Sequence, residues 1–374
     1  MTGTPSRPPL DLVAEIGQAE GSWEYVREAI EAFAGVGATM VKVQLLDPYQ
    51  LTSGGARRYW QTKHGSPVED QGEAFRLAGL LSYDRGEVTE SVRCAARYGI
   101  ELAATVFDTD ALRVALDGGI RTVKVASGDI THRALIEAVA AALARFGGRL
   151  VFSTGAANQT EVHNAVKTAR RAAWDALAET GLTFGWADPV AMTVLACTLA
   201  YPTPADAAAL WRIREVRAAA EGHLQVGYSD HTADVVTGLV AAAAGARMLE
   251  KHATLNPHNP RVPDNLFALT PAAFGRYVDM AHTGADLYGD PKRPDVVARA
   301  EAPAREGARR ALYATRDLLA GHVIAPGDLV ALRPCPPGSL SAWWARRVIG
   351  GRLVSPVASG EVVAHDQVND ATPI

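Results

Sequence analysis

The sequence has very few cysteines. Only Cys94, Cys197 and Cys335 occur among 374 residues, and no C-x-x-C pair is present. Three widely spaced cysteines exclude a disulfide framework and a zinc site built from cysteine pairs. The first nine residues are polar and proline-rich, without the apolar run of a signal peptide. Together these features predict a protein of a reducing compartment, the cytoplasm.

Long apolar runs and an excess of one charge are also missing. No stretch approaches the ~20 uninterrupted apolar residues that a membrane helix needs, so we expect no membrane partner. The formal net charge is −4 and the sequence pI is about 6.2, which gives no general attraction for nucleic acid. Glycine-rich phosphate loops and nucleic-acid motifs are absent as well. An anionic ligand would therefore have to be bound by basic groups inside a pocket.

The sequence does contain a regular alternation of short β-branched runs and alanine-rich amphipathic stretches. Strands are predicted at residues 10–17, 39–46, 100–107, 122–127, 149–155, 193–200, 225–231 and 248–255. Helices are predicted between most of them, for example at 23–36, 134–146, 161–180, 205–220 and 234–245. A strand–helix repeat of about 250 residues is typical of an α/β (β/α)8 TIM barrel. A doubly wound sheet is the alternative, but no strand precedes a glycine-rich dinucleotide fingerprint.

The chain continues beyond this repeat into a second, smaller region. We predict a barrel domain over residues 1–287, a charged, irregular linker over 288–309 and a small β-rich domain over 310–374. Residues 321–329 (GHVIAPGDL) resemble residues 360–368 (GEVVAHDQV), and each copy has a turn glycine followed by an apolar run. That pattern predicts short, looped strands.

Polar side chains recur where the predicted strands end. The carboxyl ends of barrel strands carry the active site in this fold, and side chains alternate in and out along each strand. Their shared position predicts one polar site at this rim. The residues are Glu15, Lys42, Gln44, Thr105, Lys124, Ser127, Ser153, Tyr201, Ser229, Asp230, His231, Glu250, Lys251 and His252.

His231 and His252 end adjacent predicted strands. Inward side chains near the same rim can converge on one divalent metal and leave positions open for a substrate carbonyl and water. Asp230 and Glu250 are the expected partners of the two imidazoles. The alternative is a pair of hydrogen-bonded structural histidines.

Lys42 and Lys124 are unusual inside a barrel, since a buried ammonium is costly unless an anion meets it. One interpretation is an ion pair with Glu15 or Glu250. The other is a phosphate or carboxylate clamp, completed by the hydroxyls of neighbouring strand ends. Those hydroxyls belong to Ser127, Ser153 and Ser229. Glu15 is a candidate for orienting water or exchanging a proton.

At these residues the chain resembles the sialic acid synthase family, also called the nonulosonate synthases. The matching sequence motifs are AEIG (14–17), VKVQ (41–44), KVASGDI (124–130), STG (153–155), YPTP (201–204), GYSDH (227–231) and EKH (250–252). The C-terminal region resembles that family's antifreeze-like (SAF) domain, including Arg333-Pro334. The resemblance covers nearly the whole chain in the right order.

The resemblance implies a metal-dependent condensation of phosphoenolpyruvate with an aldehyde sugar. His231 and His252 would bind Mn2+, with Mg2+ or Co2+ as alternatives. Glu15 would orient the water or exchange a proton. Phosphoenolpyruvate would be held by Lys42, Lys124, Ser127, Ser153 and Ser229. The sugar would lie near Gln44, Asp129, Tyr201 and Asp264. Family members are domain-swapped homodimers, so Arg333 would reach the sugar's acyl group across the interface.

Four departures from the family pattern lie on the expected sugar side. QAEG (18–21) stands in place of an Asn-His-Asn-Gly stretch, Leu199 in place of Ser or Asn, Asn265 in place of a histidine, and CPPG (335–338) in place of Gly-Asn-Gly. These departures predict the same chemistry on an altered acceptor, such as a modified hexosamine or a nucleoside- or antibiotic-pathway aldehyde. Loss of activity is the competing interpretation, because Leu199 removes a polar contact.

Two other classes of function stay open at this point. A Schiff-base aldolase would explain a barrel lysine such as Lys124, but not the paired histidines. A non-catalytic sugar-binding homologue would keep the pocket without releasing phosphate.

Overall fold

The computed structural model describes residues 10–58, 70–179, 188–220, 224–289 and 294–369. The N-terminal segment in which no signal peptide is predicted lies outside these residues. The chain divides into two compact units, Met1–Gly289 and Asp290–Ile374. No helix of the described segments is long and apolar enough to cross a membrane.

The first unit is a closed barrel of eight parallel strands, hydrogen-bonded in chain order. This confirms the predicted α/β fold and excludes the doubly wound sheet. All eight strands fall where the alternation predicts them, with ends shifted by a few residues. They are β1 (Asp11–Glu15), β2 (Met40–Leu45), β3 (Glu101–Val106), β4 (Thr122–Val125), β5 (Arg149–Ser153), β6 (Ala191–Cys197), β7 (Gln225–Asp230) and β8 (Met248–His252).

Amphipathic helices cover the outside of this barrel. Many begin with a side chain that accepts a hydrogen bond from the first turn, such as Ser22 before the first helix and Asp108 before the fifth. The helices of this unit are α1 (Trp23–Ala34), α2 (Pro48–Leu51), α3 (Gln71–Ala78), α4 (Arg85–Arg97), α5 (Thr109–Asp117), α6 (Arg133–Phe146), α7 (Gln159–Ala178), α8 (Arg212–Ala219), α9 (Val236–Ala243) and α10 (Pro271–Tyr288). Short 3-10 turns lie at Ala19–Gly21, Ser127–Asp129, Ala205–Ala207 and Pro263–Leu266.

Strand alternation divides the side chains of the barrel into two sets. Outward residues such as Val41 and Val43 join the large core beneath the helices. Inward residues near the amino ends of the strands form a separate small apolar cluster. Its members are Val13, Met40, Ala103, Val151, Leu195 and Met248. One or two inward positions further along, the strands carry polar residues instead, so the site lies above an apolar floor.

The second unit is a small β-rich body with its own core. Helix α11 (Pro294–Ala308) is its first element, so the segment predicted as an irregular linker contains a helix, all of whose residues are exposed. Strands β9 (Ala311–Ala314) and β10 (Leu329–Leu332) pair antiparallel, as do β11 (Arg352–Leu353) and β12 (Val368–Asn369). The turn glycines of the two repeat copies, Gly321 and Gly360, have φ values of +83° and +79°. Only glycine adopts this conformation without strain.

Candidate active site

His231 and His252 meet at the carboxyl end of the barrel. His231 directly follows β7 and His252 ends β8, and both side chains are buried. Their ring centroids are 5.2 Å apart, with the ring planes inclined by 68°. Both line the same cavity. The structure therefore brings together the two imidazoles that the sequence predicts to converge.

Each imidazole has a polar neighbour at its Nδ1 atom, a hydrogen bond for His231 and an ion-pair contact without hydrogen-bond geometry for His252. His231 Nδ1 lies 2.9 Å from the carbonyl oxygen of Thr198, and His252 Nδ1 lies 2.9 Å from Asp264 Oδ2. The expected partners were wrong: Asp230 points outward from the barrel, and Glu250 contacts lysines. A protonated Nδ1 on each ring leaves the two Nε2 atoms as the remaining bases.

This arrangement fits a divalent metal. Two imidazoles that share an ion at about 2.1 Å through Nε2 have ring centroids roughly 5 Å apart, as His231 and His252 do. Anchoring of the far nitrogen by a carbonyl and a carboxylate is the usual support of a metal-bound histidine. Within the described segments, no group of three or more His, Cys, Asp or Glu side chains is arranged to hold an ion. Two protein ligands would leave most coordination positions to water or substrate oxygens.

Two aromatic side chains enclose the histidine pair. The ring of Tyr201 lies over His231 with centroids 4.2 Å apart, and Phe267 lies 4.9 Å from the ring of His252. Phe267 is buried, whereas Tyr201 borders the cavity. These rings restrict the rotation of the imidazoles and limit the access of water to them.

Lys42 and Lys124 form a buried charge cluster with two carboxylates. Lys42 Nζ pairs with Glu15 Oε2 and lies 3.7 Å from Glu250 Oε2, and Lys124 Nζ pairs with Glu250 Oε1. Glu250 also accepts a hydrogen bond of 2.9 Å from Ser229 Oγ. Lys42 donates a further hydrogen bond of 2.7 Å to Thr105. The interpretation of the lysines as ion-paired groups is therefore confirmed for this structure.

The lysines nevertheless border the cavity, whereas neither carboxylate lines it. Burial alone would lower the pKa of Lys42, but Glu15 and Glu250 raise it overall. Burial would likewise raise the pKa of Glu250, but Lys124 and Lys42 hold it well below its usual range. The two carboxylates thus favour the charged form of Lys42 at the wall of the cavity, where Lys124 is ion-paired beside it.

The cavity has a volume of about 320 Å³ and contains most of the predicted site residues. Its wall includes the predicted residues Lys42, Gln44, Lys124, Ser127, Asp129, Tyr201, His231, His252 and Asp264. Glu15, Ser153 and Ser229 are buried but do not line the cavity. Arg333 lies in the second unit, where it is exposed.

Glu15 is fully engaged below this wall. Its Oε1 accepts hydrogen bonds from the backbone nitrogen of Gly17 at 2.9 Å and from Gln44 Nε2 at 3.0 Å, while its Oε2 pairs with Lys42. A role in proton transfer would require it to release one of these partners. Its observed contacts position Lys42 and Gln44.

Several wall residues were not identified from the sequence. Gln18, Leu51, Gln71, Phe75, Phe107 and Leu199 line the cavity together with the predicted residues. Three of them, Gln18, Phe107 and Leu199, lie in loops after strands, where no periodic pattern marks the direction of a side chain. The other three lie on α2 and α3, in the long connection after β2. Leu199 and Gln18 had been noted only as departures from a family pattern.

Two other departures have structural roles. Asn265 Nδ2 donates to the carbonyl oxygens of Asn256 at 2.8 Å and Asn259 at 3.1 Å, so it fastens the loop after β8. Glu20 Oε2 accepts a hydrogen bond of 2.7 Å from Asn259. The loop after β1 is thereby tied to the loop after β8, beside Asp264.

Burial also affects two further groups near the cavity. It raises the pKa of the Asp129 carboxyl above its usual value. For Asp264, burial would raise the pKa, but the adjacent His252 lowers it overall. Asp264 is therefore the better carboxylate of the two for accepting the Nδ1 proton of an imidazole.

Comparison with known proteins supports the resemblance found in the sequence. The N,N'-diacetyllegionaminic acid synthase of Legionella pneumophila is 26% identical over 96% of this chain and 94% of its own length. The pseudaminic acid synthase of Helicobacter pylori is 24% identical over 87% of this chain and 88% of its own. The crystal structure of spore coat polysaccharide biosynthesis protein E from Chromobacterium violaceum shares the fold, with 22% identity, a TM-score of 0.72 and coverage of 96% of this chain and 98% of that one.

Family models match both units of the chain. The SAF domain model matches residues 309–369. The model described as the NeuB family matches residues 29–293, which is most of the chain. The chain belongs to the NeuB family.

Proposed function

We propose that this protein condenses phosphoenolpyruvate with an aldehyde sugar to give a 2-keto-3-deoxy nonulosonate-type acid and phosphate. In this reaction C3 of phosphoenolpyruvate forms a bond to the aldehyde carbon, water adds at C2, and the C2–O bond to phosphate is replaced. The observation that carries the proposal is a single cavity that holds a histidine pair beside two charged lysines. Relatives named as an N,N'-diacetyllegionaminic acid synthase and a pseudaminic acid synthase match 96% and 87% of the chain.

His231 and His252 would hold the divalent metal, which we propose to be Mn2+. A bound ion would supply Lewis acidity toward the aldehyde oxygen of the acceptor. The protein's own contribution is to fix both rings through Thr198 and Asp264. The rings of Tyr201 and Phe267 exclude water on the other sides.

Lys42, Lys124 and Ser127 would hold the anionic groups of phosphoenolpyruvate. Both ammonium groups border the cavity and are fixed from behind by Glu15 and Glu250. Fixed charges of this kind orient a substrate without the cost of ordering long side chains on binding. Ser229 donates to Glu250, so we assign it to supporting the cluster, whereas Ser153 is buried and does not line the cavity.

The acceptor would occupy the remaining part of the cavity, near Gln44, Asp129, Tyr201 and Asp264. This part also contains Leu199, Phe75 and Phe107, so the wall combines amides with apolar side chains. An N-acylated or deoxygenated hexose offers amide groups and apolar surface that match the amide and apolar side chains of this wall. We therefore place a modified hexosamine ahead of an unmodified one.

A Schiff-base aldolase is disfavoured by the same charge cluster. A nucleophilic lysine needs a neutral amine. Lys124 is paired with Glu250, and the pKa of Lys42 is raised by Glu15 and Glu250 against the effect of burial. Neither lysine is prepared for nucleophilic attack.

The family resemblance extends the proposal to the assembly. We propose a cytoplasmic, domain-swapped homodimer in which Arg333 reaches the acceptor of the partner's barrel. The three cysteines are all free, which suits a reducing compartment. Arg333→Ala should then raise KM for the acceptor without changing KM for phosphoenolpyruvate.

The proposed function is tested by phosphate release from the purified protein. With Mn2+ and phosphoenolpyruvate, phosphate should appear only when an aldehyde sugar is added. Acceptors should range from N-acetylmannosamine to diacetamido-deoxyhexoses and nucleoside-derived aldehydes. The double variant His231→Ala with His252→Ala should be inactive but folded. Undiminished phosphate release by that variant would exclude the metal assignment.

A further inference from the structure

A second buried ion pair lies directly behind the histidines, outside the barrel wall. Lys251 Nζ lies 3.0 Å from Asp230 Oδ2, and both side chains are 0% exposed. The two residues are register partners on β7 and β8, facing the layer between the strands and the helices. That layer is otherwise largely the apolar core of the unit. Each residue immediately precedes one of the two histidines.

Lys251 contacts both sequence neighbours of His231. Besides Asp230, Lys251 Nζ donates to the carbonyl oxygen of Thr232 at 2.5 Å and lies 3.0 Å from Thr232 Oγ1. Asp230 Oδ1 in turn accepts from the backbone nitrogen of Thr232 at 2.9 Å and from its hydroxyl at 2.8 Å. One ammonium group therefore contacts the residue before His231 and the residue after it.

The same network is fixed from the helix layer. Thr237, on α9, donates to Asp230 Oδ2 at 2.5 Å. Lys251 Nζ lies 5.6 Å from the centroid of the Tyr277 ring, on α10. That ring packs closely against Gly238, where an added Cβ would lie 2.8 Å from a ring carbon. Two helices and two strands thus determine where the ammonium group lies.

A fully buried ion pair is weak evidence for stability. Removing two charges from water costs several kcal/mol per ion, and apolar replacements are often neutral or stabilising. We therefore look for the role of this ion pair in the positions that it imposes. It joins the ends of β7 and β8, and each of these strand ends carries one imidazole.

We propose that the Lys251–Asp230–Thr232 network is a positioning device that sets the separation of His231 and His252, and thereby the affinity for the divalent ion. The three residues are positioning residues, since none of them lines the cavity. This inference rests on the proposed function for the identity of the ligand. Its structural part, the spacing of two imidazoles, does not depend on turnover.

The test separates stability from positioning with the paired substitution Asp230→Leu with Lys251→Met. Removing both charges should lower the thermal midpoint of the metal-free protein, because Thr232 and Thr237 lose buried hydrogen-bond partners, but the protein should remain folded. The dissociation constant for Mn2+, measured from the electron paramagnetic resonance signal of the free ion, should rise about 10- to 100-fold. The matched control is Asp11→Leu with Arg149→Met, which removes an ion pair of 2.6 Å at the opposite end of the barrel. That control should bind Mn2+ like wild type.

A second readout needs no metal. In histidine-labelled, metal-free protein, the 15N signals of His231 and His252 should shift in the Asp230/Lys251 double variant and stay unchanged in the control. If the double variant does not fold, Thr232→Val is the milder test, and it should weaken Mn2+ binding several-fold. Unchanged Mn2+ affinity together with unchanged imidazole signals would overturn the proposal. Failure of the wild type to bind Mn2+ would instead count against the proposed function, and the imidazole signals would still decide the positioning role.

Discussion

Asp264 Oδ2 lies 2.9 Å from His252 Nδ1, and His231 Nδ1 lies 2.9 Å from the carbonyl oxygen of Thr198. The sequence resemblance had assigned Asp264 to the sugar. Its position beside a candidate metal ligand gives it an additional role. A carboxylate at this distance would stabilise a proton on Nδ1 and so favour the tautomer with a free Nε2 atom.

Asp264→Asn should therefore weaken metal binding. An amide at this position cannot stabilise the protonated Nδ1 as a carboxylate does, so we expect the dissociation constant for Mn2+ to rise about 10- to 100-fold. Isothermal titration of the metal-free protein measures this directly. Asp129→Asn is the matched control, because Asp129 lines the same cavity and the imidazole that acts on it is His132, which is outside the candidate metal pair. Equal affinities for the two variants would contradict the assignment.

The charge cluster can be dissected by removing one partner or both. Lys124→Met should raise KM for phosphoenolpyruvate at least tenfold and lower the thermal midpoint, because Glu250 loses its closest cation. Adding Glu250→Gln to Lys124→Met should recover most of the stability, because the carboxylate that lost its partner is replaced by a neutral amide. KM for phosphoenolpyruvate should stay high in this double variant. If KM recovers along with the stability, Lys124 only neutralises Glu250 and does not hold the substrate.

Much of the fold and of the histidine–lysine site could be predicted from the sequence, for a physical reason. Barrel strands alternate with a period of two, and their carboxyl ends meet at one rim, so Lys42, Lys124, His231 and His252 had to converge. The same alternation should have excluded Asp230 as a partner of His231, because adjacent residues of a strand face opposite sides. The true partners, Asp264 and the Thr198 carbonyl, come from loops.

Loop residues explain most of what the sequence could not predict. Gln18, Gln71 and Phe75 reach the cavity because long connections fold back over the rim, and no periodicity reports that path. Glu15 shows a second limit. Its place at a strand end was predicted correctly. The sequence pattern could not predict that both carboxylate oxygens contact Lys42, Gln44 and a backbone amide, because the pattern gives no distances.

The second unit should show an acid transition that depends on Asp328. Hydrogen bonds from His322 and the Ala325 backbone, with Arg316 nearby, lower the pKa of Asp328 from 3.8 to about 2. A pKa that is lower in the folded state stabilises the fold fully above pH 3.8, and this contribution disappears as the pH falls toward 2. Hydrogen exchange of residues 311–332, corrected for intrinsic rates, should report the loss. Asp328→Asn should remove the pH dependence in this window, whereas the exposed Asp366→Asn should retain it.

Leu199 should govern the choice of acceptor. It places an apolar side chain in the cavity wall, where the family resemblance of the sequence predicts a polar one. Leu199→Ser should lower kcat/KM for deoxygenated acceptors relative to hydroxylated ones by roughly tenfold or more, the usual value of one apolar contact. The ratio of kcat/KM for the two acceptor types measures the effect, and KM for phosphoenolpyruvate serves as the internal control. An unchanged ratio would remove Leu199 from the acceptor site.

Gln18 carries a buried donor that has no hydrogen-bond partner among the described residues. Its Nε2 atom is unpaired in the cavity wall, while the Nε2 atom of Gln44 donates to Glu15 at 3.0 Å. A buried unpaired donor costs about 1–3 kcal/mol, and a ligand oxygen would recover this cost when the amide group turns into the cavity. Gln18→Met should therefore leave the thermal midpoint unchanged or raise it, and increase KM for the acceptor about tenfold.

The matched variant Gln44→Met should behave in the opposite way with respect to stability. It removes a donor that is already paired with a buried carboxylate, so the thermal midpoint should fall. Thermal melts of both variants, combined with KM for the acceptor and for phosphoenolpyruvate, distinguish a ligand contact from a structural one. If Gln18→Met lowers the midpoint and leaves KM for the acceptor unchanged, Gln18 supports the loop after β1 and does not recognise the sugar.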